Sequence, residues 1–243
     1  MGHIANFKHW FSKIEHLKPD YIFFYVGIND AFRLQKQKQS EALNELMQGP
    51  GKEYIPQRLF PYHKSAFYRI YLLYKGNKEA AELKLRHQKV DFNQVNYTNN
   101  PKLTEDYYKV YDTLMQQFKD RLAILDSLTK SMGAKAVFVS QASNHYKYSQ
   151  QGLQGVDIDF NNNNITFNGV DAYNFLYRTH LQIKSFCADS IVFINCFDSV
   201  NFQQDDYYDF VHLNPKGAQK LGVFIAHEFG KQLAKQNVKD SIN

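Results

Sequence analysis

A doubly wound α/β fold with a parallel sheet is the architecture this sequence predicts, and three observations carry it. Apolar runs around residues 21–26, 134–140 and 190–195 are continuous rather than alternating, the pattern of strands covered on both faces. The segments before, between and after them place apolar residues at helical spacing. The resulting order of helix, strand, helix, strand, helix, strand, helix is that of a parallel sheet wound with helices.

Each element follows from local chemistry. Ile4, Phe7, Trp10, Phe11, Ile14 and Leu17 recur on one helical face, and Pro19 stands just past the expected helix end. The first strand is Tyr21-Ile22-Phe23-Phe24-Tyr25-Val26. Residues 32–100 break the rhythm, being rich in Lys, Gln, Tyr and Asn around the cluster Phe67-Tyr68-Arg69-Ile70-Tyr71-Leu72-Leu73-Tyr74. They are expected to form a helical insertion above the C-terminal edge of the sheet, where open α/β folds bind ligands. A long helix over residues 104–131, ended by Gly133, precedes the second strand. Residues 149–168, which include Asn161 to Asn164, read as an exposed loop. A helix over residues 172–188 leads to the third strand. Pro215 then opens a last helix with Leu221, Phe224, Ile225 and Phe229 on one face.

With 243 residues, 44% of them hydrophobic and 16% aromatic, the chain has enough apolar surface for one sizeable core, so a single domain over residues 1–243 is expected. The net charge of +5 comes from scattered lysines, not from the basic face that nucleic-acid binding requires. No run has the length of a membrane span. Cys187 and Cys196 read as two buried thiols. His9, His16, His145, His180 and His212 match no ligand spacing, so no metal is expected, and nothing points to another cofactor.

Two segments carry chemistry. Asp209-Phe210-Val211-His212 runs into Leu213-Asn214-Pro215-Lys216-Gly217, which launches the last helix. An acid three residues before a histidine at such a junction can fix one ring nitrogen and leave the other to accept a proton. An Asp-x-x-His capping pair is the plainer alternative. In Gly27-Ile28-Asn29-Asp30 the first strand ends at a glycine and turns, setting Asn29 at the sheet's C-terminal edge. An amide donor there suits a developing oxyanion because it does not titrate. An ordinary Asn-Asp turn explains the dipeptide equally well.

Together, these segments at opposite ends of a three-strand core resemble the SGNH or GDSL hydrolase family, over nearly the whole chain apart from the insertion. The resemblance implies a flavodoxin-like three-layer α/β/α sandwich, and hydrolysis of carboxylic esters, acyl or acetyl, on small molecules, lipids or carbohydrates, without a metal. It implies that Asn29 donates to the oxyanion, that Asp209 orients His212 as general base, and that the backbone N–H of Gly2 completes the oxyanion hole.

The family's nucleophile block, Gly-Asp-Ser after a first strand, has no counterpart. Ser12, Ser40 and Ser65 follow no strand-then-glycine turn, and Ser140 and Ser143 read as strand-end and loop hydroxyls. The expectation is therefore a truncated member lacking its first strands, inactive as it stands. The strand over residues 21–26 would then be an open sheet edge, prone to self-association or to pairing with another chain. The competing expectation is a catalytically inactive relative that binds carbohydrate or protein. Its insertion carries Tyr54, Phe60, Tyr62, Phe67, Tyr68, Tyr71 and Tyr74, most of them expected in the insertion's own core and a minority available to stack on sugars.

Overall fold

Three parallel strands form the central sheet of the computed structural model, which describes residues 2–32, 65–82, 90–162, 165–188 and 191–240. Along the chain the elements are α1 (Gly2–His9), β1 (Tyr21–Val26), α2 (Ile28–Ala31), α3 (Ala66–Glu82), β2 (Tyr97–Thr98), α4 (Glu105–Ser131), β3 (Lys135–Ser140), β4 (Tyr146–Ser149), β5 (Gly152–Val156), β6 (Phe160–Asn162), β7 (Ile165–Phe167), α5 (Gly169–Phe186), β8 (Val192–Ile194) and α6 (Pro215–Asp240). The chain divides into two units, residues 1–35 with 90–243, and residues 36–89.

In the first unit the parallel sheet runs β1-β3-β8, with Phe24 opposite Phe138 and Val139 opposite Ile194. Its two faces are both apolar, which is why the strands read as unbroken hydrophobic runs. On one face Phe24 stacks on Phe138 at 5.2 Å, Phe7 of α1 lies against Phe24, and Phe186 of α5 meets Phe138 edge-on. On the other, Val137, Val139, Val192 and Ile194 are covered by Leu221, Phe224 and Ile225 of α6, while Phe229 packs edge-on against both Tyr21 and Phe23. Among the described residues β1 pairs only with β3, and Phe23 stays 43% exposed at that edge.

Helix α4 illustrates how sequence sets burial. Tyr108, Tyr111, Met115, Phe118, Leu122 and Leu125 recur every three or four residues, and all are buried. Glu105 and Asp106 in its first turn and Lys130 in its last oppose the helix dipole favourably. Gly133 then takes φ 77°, the left-handed conformation that lets the chain leave the helix and enter β3.

Three expectations for the first unit are corrected. The opening helix ends at His9, and a 3-10 turn over Phe11–Lys13 follows. That turn shifts the helical phase, so Ile4 and Phe7 are buried but Trp10 is 67% exposed, with Ile14 and Leu17 also outside the core. Residues 149–168 are not a loop. They contain most of the β4–β5 hairpin, turned at Gly152 with φ 94°, and the β6–β7 pair. Helix α5 starts at Gly169 because Asn168 and Asp171 form a reciprocal capping box, the Asn168 side chain accepting from the Val170 and Asp171 N–H groups.

In the second unit, α3 begins after Ser65, whose hydroxyl accepts from the Tyr68 N–H. Phe67, Tyr71 and Tyr74 are exposed, Phe67 at 85%, and are not the buried insertion core expected of them. Tyr54, Phe60 and Tyr62 lie outside the described residues. No helix among the described residues is long and apolar enough to cross a membrane.

A close backbone approach in the first unit sets β5 against the start of α5. A Cβ on Gly169 would lie 2.1 Å from the His145 carbonyl oxygen, and one on Gly155 would lie 2.0 Å from the Val170 nitrogen. Both obstacles are main chain and cannot swing aside. Gly169→Ala is expected to destabilise the fold by about 3 kcal/mol or more, measured as the loss in urea midpoint at constant m-value.

Candidate active site

The three loops leaving the C-terminal ends of β1, β3 and β8 meet along one rim of the sheet, and side chains tie them together. After β1, Gly27 takes φ 130°, which only glycine adopts without strain, and α2 begins at once. The Ala31 N–H returns to the Gly27 carbonyl at 2.7 Å. Asp30 forms an ion pair with Arg121 of α4 at 2.8 Å, and the Tyr111 hydroxyl donates to the Ala31 carbonyl. The turn is therefore anchored through Asp30 and Ala31. Asn29 is exposed, and its side-chain amide makes no hydrogen bond among the described residues.

After β8, an isolated antiparallel bridge between Tyr207 and Leu213 closes a short loop, and within it the Tyr208 N–H donates to the His212 carbonyl at 2.7 Å. Asp209 sits inside. Its Oδ1 accepts the N–H groups of Val211 at 2.8 Å and His212 at 2.7 Å, and its Oδ2 lies 2.8 Å from His212 Nδ1. Burial alone would raise the Asp209 carboxyl, but the hydrogen bonds from the His212 backbone and ring and from Val211 outweigh it and hold the group below its ordinary value. An ionised carboxylate there fixes the Nδ1–H tautomer. The imidazole itself is 52% exposed at the rim.

Helix α6 does not rely on Asp209 for its cap. Asn214 Oδ1 accepts the Gly217 N–H at 3.0 Å, and Pro215 fills the first turn. Gly217 lies so close to the Asp206 carbonyl that a Cβ would fall 2.2 Å from it. Fully buried Asp206 takes Lys220 at 2.8 Å, pinning the helix start to the turn before Asp209.

The loop after β3 joins the other two. Gln141 Oε1 accepts the Ile28 N–H at 2.7 Å, on the Asn29 side, and the Asn144 N–H donates to the Phe210 carbonyl at 2.8 Å, on the His212 side. Between them the His145 ring stacks on Phe210 at 5.2 Å and meets Phe32 edge-on at 5.1 Å. Neither Gln141 nor His145 carries a sequence pattern that marks it for this role. Their only local signal is a polar run directly after an apolar strand.

Gly2 is the first residue of α1. The neighbouring His3 packs edge-on against Phe24, and burial lowers its pKa while the charge of Asp30 opposes the shift, so the start of α1 lies within reach of the α2 turn. Ser140 is buried and accepts the N–H groups of Cys196 and Phe197, which fastens the end of β3 to that of β8. Ser143 is buried against His145 Nδ1 at 3.1 Å. Cys187 and Cys196 are free, buried thiols, each pushed up to about 12 by burial. No group of three or more His, Cys, Asp or Glu among the described residues is arranged to hold a metal ion.

Complete burial drives His145 down to about 3 from 6.5, with the Asp209 charge opposing only in part. A group whose value is depressed on folding contributes stability above its unfolded value and loses it as pH falls toward the folded one. Stability should therefore decline from pH 6.5 toward 3, at up to about 1.4 kcal/mol per pH unit for this single proton. His145→Phe should flatten that slope in urea titrations across the same window. Comparison of the chain with models of known protein families, with curated proteins and with solved structures found no match.

Proposed function

We propose that the first unit is an SGNH/GDSL-type domain of flavodoxin-like, three-layer design that carries the general-base and oxyanion parts of a carboxylic-ester hydrolase. The observation supporting this most is the bond between His212 Nδ1 and the ionised Asp209, beneath an imidazole open to solvent at the strand ends. In this reading His212 Nε2 takes the proton of a serine hydroxyl as that oxygen attacks the ester carbonyl. Charge gathering on the carbonyl oxygen is met by the Asn29 amide and the Gly2 backbone N–H. His212 then protonates the departing alcohol, and water, activated the same way, releases the acid.

The reading requires a nucleophile that no serine in this sequence supplies in a strand-then-glycine turn. The bonding of Ser140 and Ser143 argues against either taking that part. Among the described residues β1 pairs only with β3, and its other edge suits the pairing of a further strand, whether from the same polypeptide or another.

The test is aryl-acetate turnover by the chain alone and by the product of the reading frame extended upstream of Met1. The extended product should turn over ester, and His212→Ala should reduce kcat by about 10³-fold or more. Asn29→Ala should cost about 10²-fold in kcat with little change in KM. Turnover that His212→Ala leaves unchanged, or none in the extended product, removes the esterase reading and leaves the inactive binding relative.

A further inference from the structure

A cleft of about 810 Å³ opens beside the Asp209–His212 turn but includes neither residue, nor Asn29. Its walls are the loop after β3, strand β4, and the stretch from Phe197 to Tyr207 that follows β8. The volume lies within the range of about 300–1,000 Å³ usual for small-molecule sites.

Three features define what fits. First, Asn144 on the wall is only 7% exposed, and its amide nitrogen has no hydrogen-bond partner among the described residues. That nitrogen is shielded as the side chain stands, so it donates to a molecule in the cleft only once the side chain turns, and the cost of leaving a buried donor unsatisfied favours that turn. Second, the walls are aromatic, with Tyr146, Tyr148, Phe197 and Phe202 among them. Tyr148 is 65% exposed, and its hydroxyl is held by that of Tyr173, whose ring stacks nearly parallel on Tyr177. That ring is thus a supported, solvent-facing platform.

Third, the charges on the walls are already answered from within the protein. Lys147 sits 3.7 Å above the Tyr97 ring, Asp205 is bonded to Lys216, and Asp198 accepts from Asn195 and Ser199. The remaining polar lining is hydroxyl and amide, from Ser143, Ser199, Tyr207, Asn201, Gln203 and Gln204. Among the described lining residues Lys147 is the one cation, and an acidic ligand would have to draw it from the Tyr97 ring. A ligand with apolar ring faces and many neutral hydroxyls matches every group.

We propose that this cleft binds a neutral oligosaccharide, with Tyr148 as the stacking face and the Asn144 amide donating to a sugar oxygen. The proposal does not rest on the ester reading, because it uses different residues and a different assay, and each fails alone.

The experiment titrates the full chain with maltotriose, cellotriose, xylotriose and triacetylchitotriose, with trigalacturonic acid as the charged control, by calorimetry and saturation-transfer NMR. At least one neutral trisaccharide should bind at millimolar concentration or below and more tightly than the acid. Tyr148→Ala, on an exposed ring, should weaken that binding about two- to tenfold without loss of fold. Asn144→Leu should remove most of the binding while leaving Tm equal or higher, because an unsatisfied buried donor has gone. Absence of binding by every neutral sugar, tighter binding of the acid, or affinity indifferent to Tyr148→Ala overturns the proposal. So does an Asn144→Leu variant that melts lower yet binds as before. Should Asn144→Leu fail to fold, Tyr148→Ala decides.

Discussion

The buried, uncharged imidazole of His145, clamped between the rings of Phe32 and Phe210, is the contact on which the geometry of the rim depends. Phe32 ends the segment that carries Asn29, and Phe210 stands inside the loop that carries Asp209 and His212. Two hydrogen bonds, from the Ile28 N–H to the Gln141 side chain and from the Asn144 N–H to the Phe210 carbonyl, frame that sandwich. The loop after β3 thus acts as a spacer between two segments far apart in sequence. A charged imidazole could not occupy this position, since burying an ion without a bonded counter-charge is far more costly than leaving it neutral.

The Asp209–His212 pair makes the opposite compromise. With half the imidazole in water, the side-chain hydrogen bond between the two is worth only about 1 kcal/mol. Its alignment comes instead from main-chain groups, the Val211 and His212 N–H bonds to the carboxylate and the bridge between Tyr207 and Leu213. Asp206 and Lys220 hold the far side of that loop against α6. Orientation is supplied by the fold, and exposure is left for chemistry.

What the sequence made legible follows from the range over which each signal acts. The three parallel strands were readable because double-sided burial writes itself into consecutive residues such as Tyr21 to Val26. Helix α4 was readable from its stripe, and Asp209 with His212 from a three-residue offset. The start of α5 at Gly169 is written in the Asn168–Asp171 capping box, but that box sits in a polar stretch whose composition is that of a loop. Trp10 was misplaced by a single turn of changed helical pitch, which periodicity cannot register. Gln141, Asn144 and His145 gain their meaning only from partners that the fold brings from other loops.

The register of β1 on β3 bears on how the molecule assembles. Phe24 meets Phe138 across a connection that contains the whole of residues 36–89, whereas β3 meets β8 through a shorter one made of β4 to β7 and α5. Closing the longer loop carries the larger entropic penalty, and parallel pairing offers no local hairpin to nucleate it. The kinetic order this implies has β3, α5 and β8 condensing first, and β1 zipping onto them late. Pulse-labelled amide exchange reads that order directly, with protection at Phe138 and Ile194 expected to precede protection at Phe24.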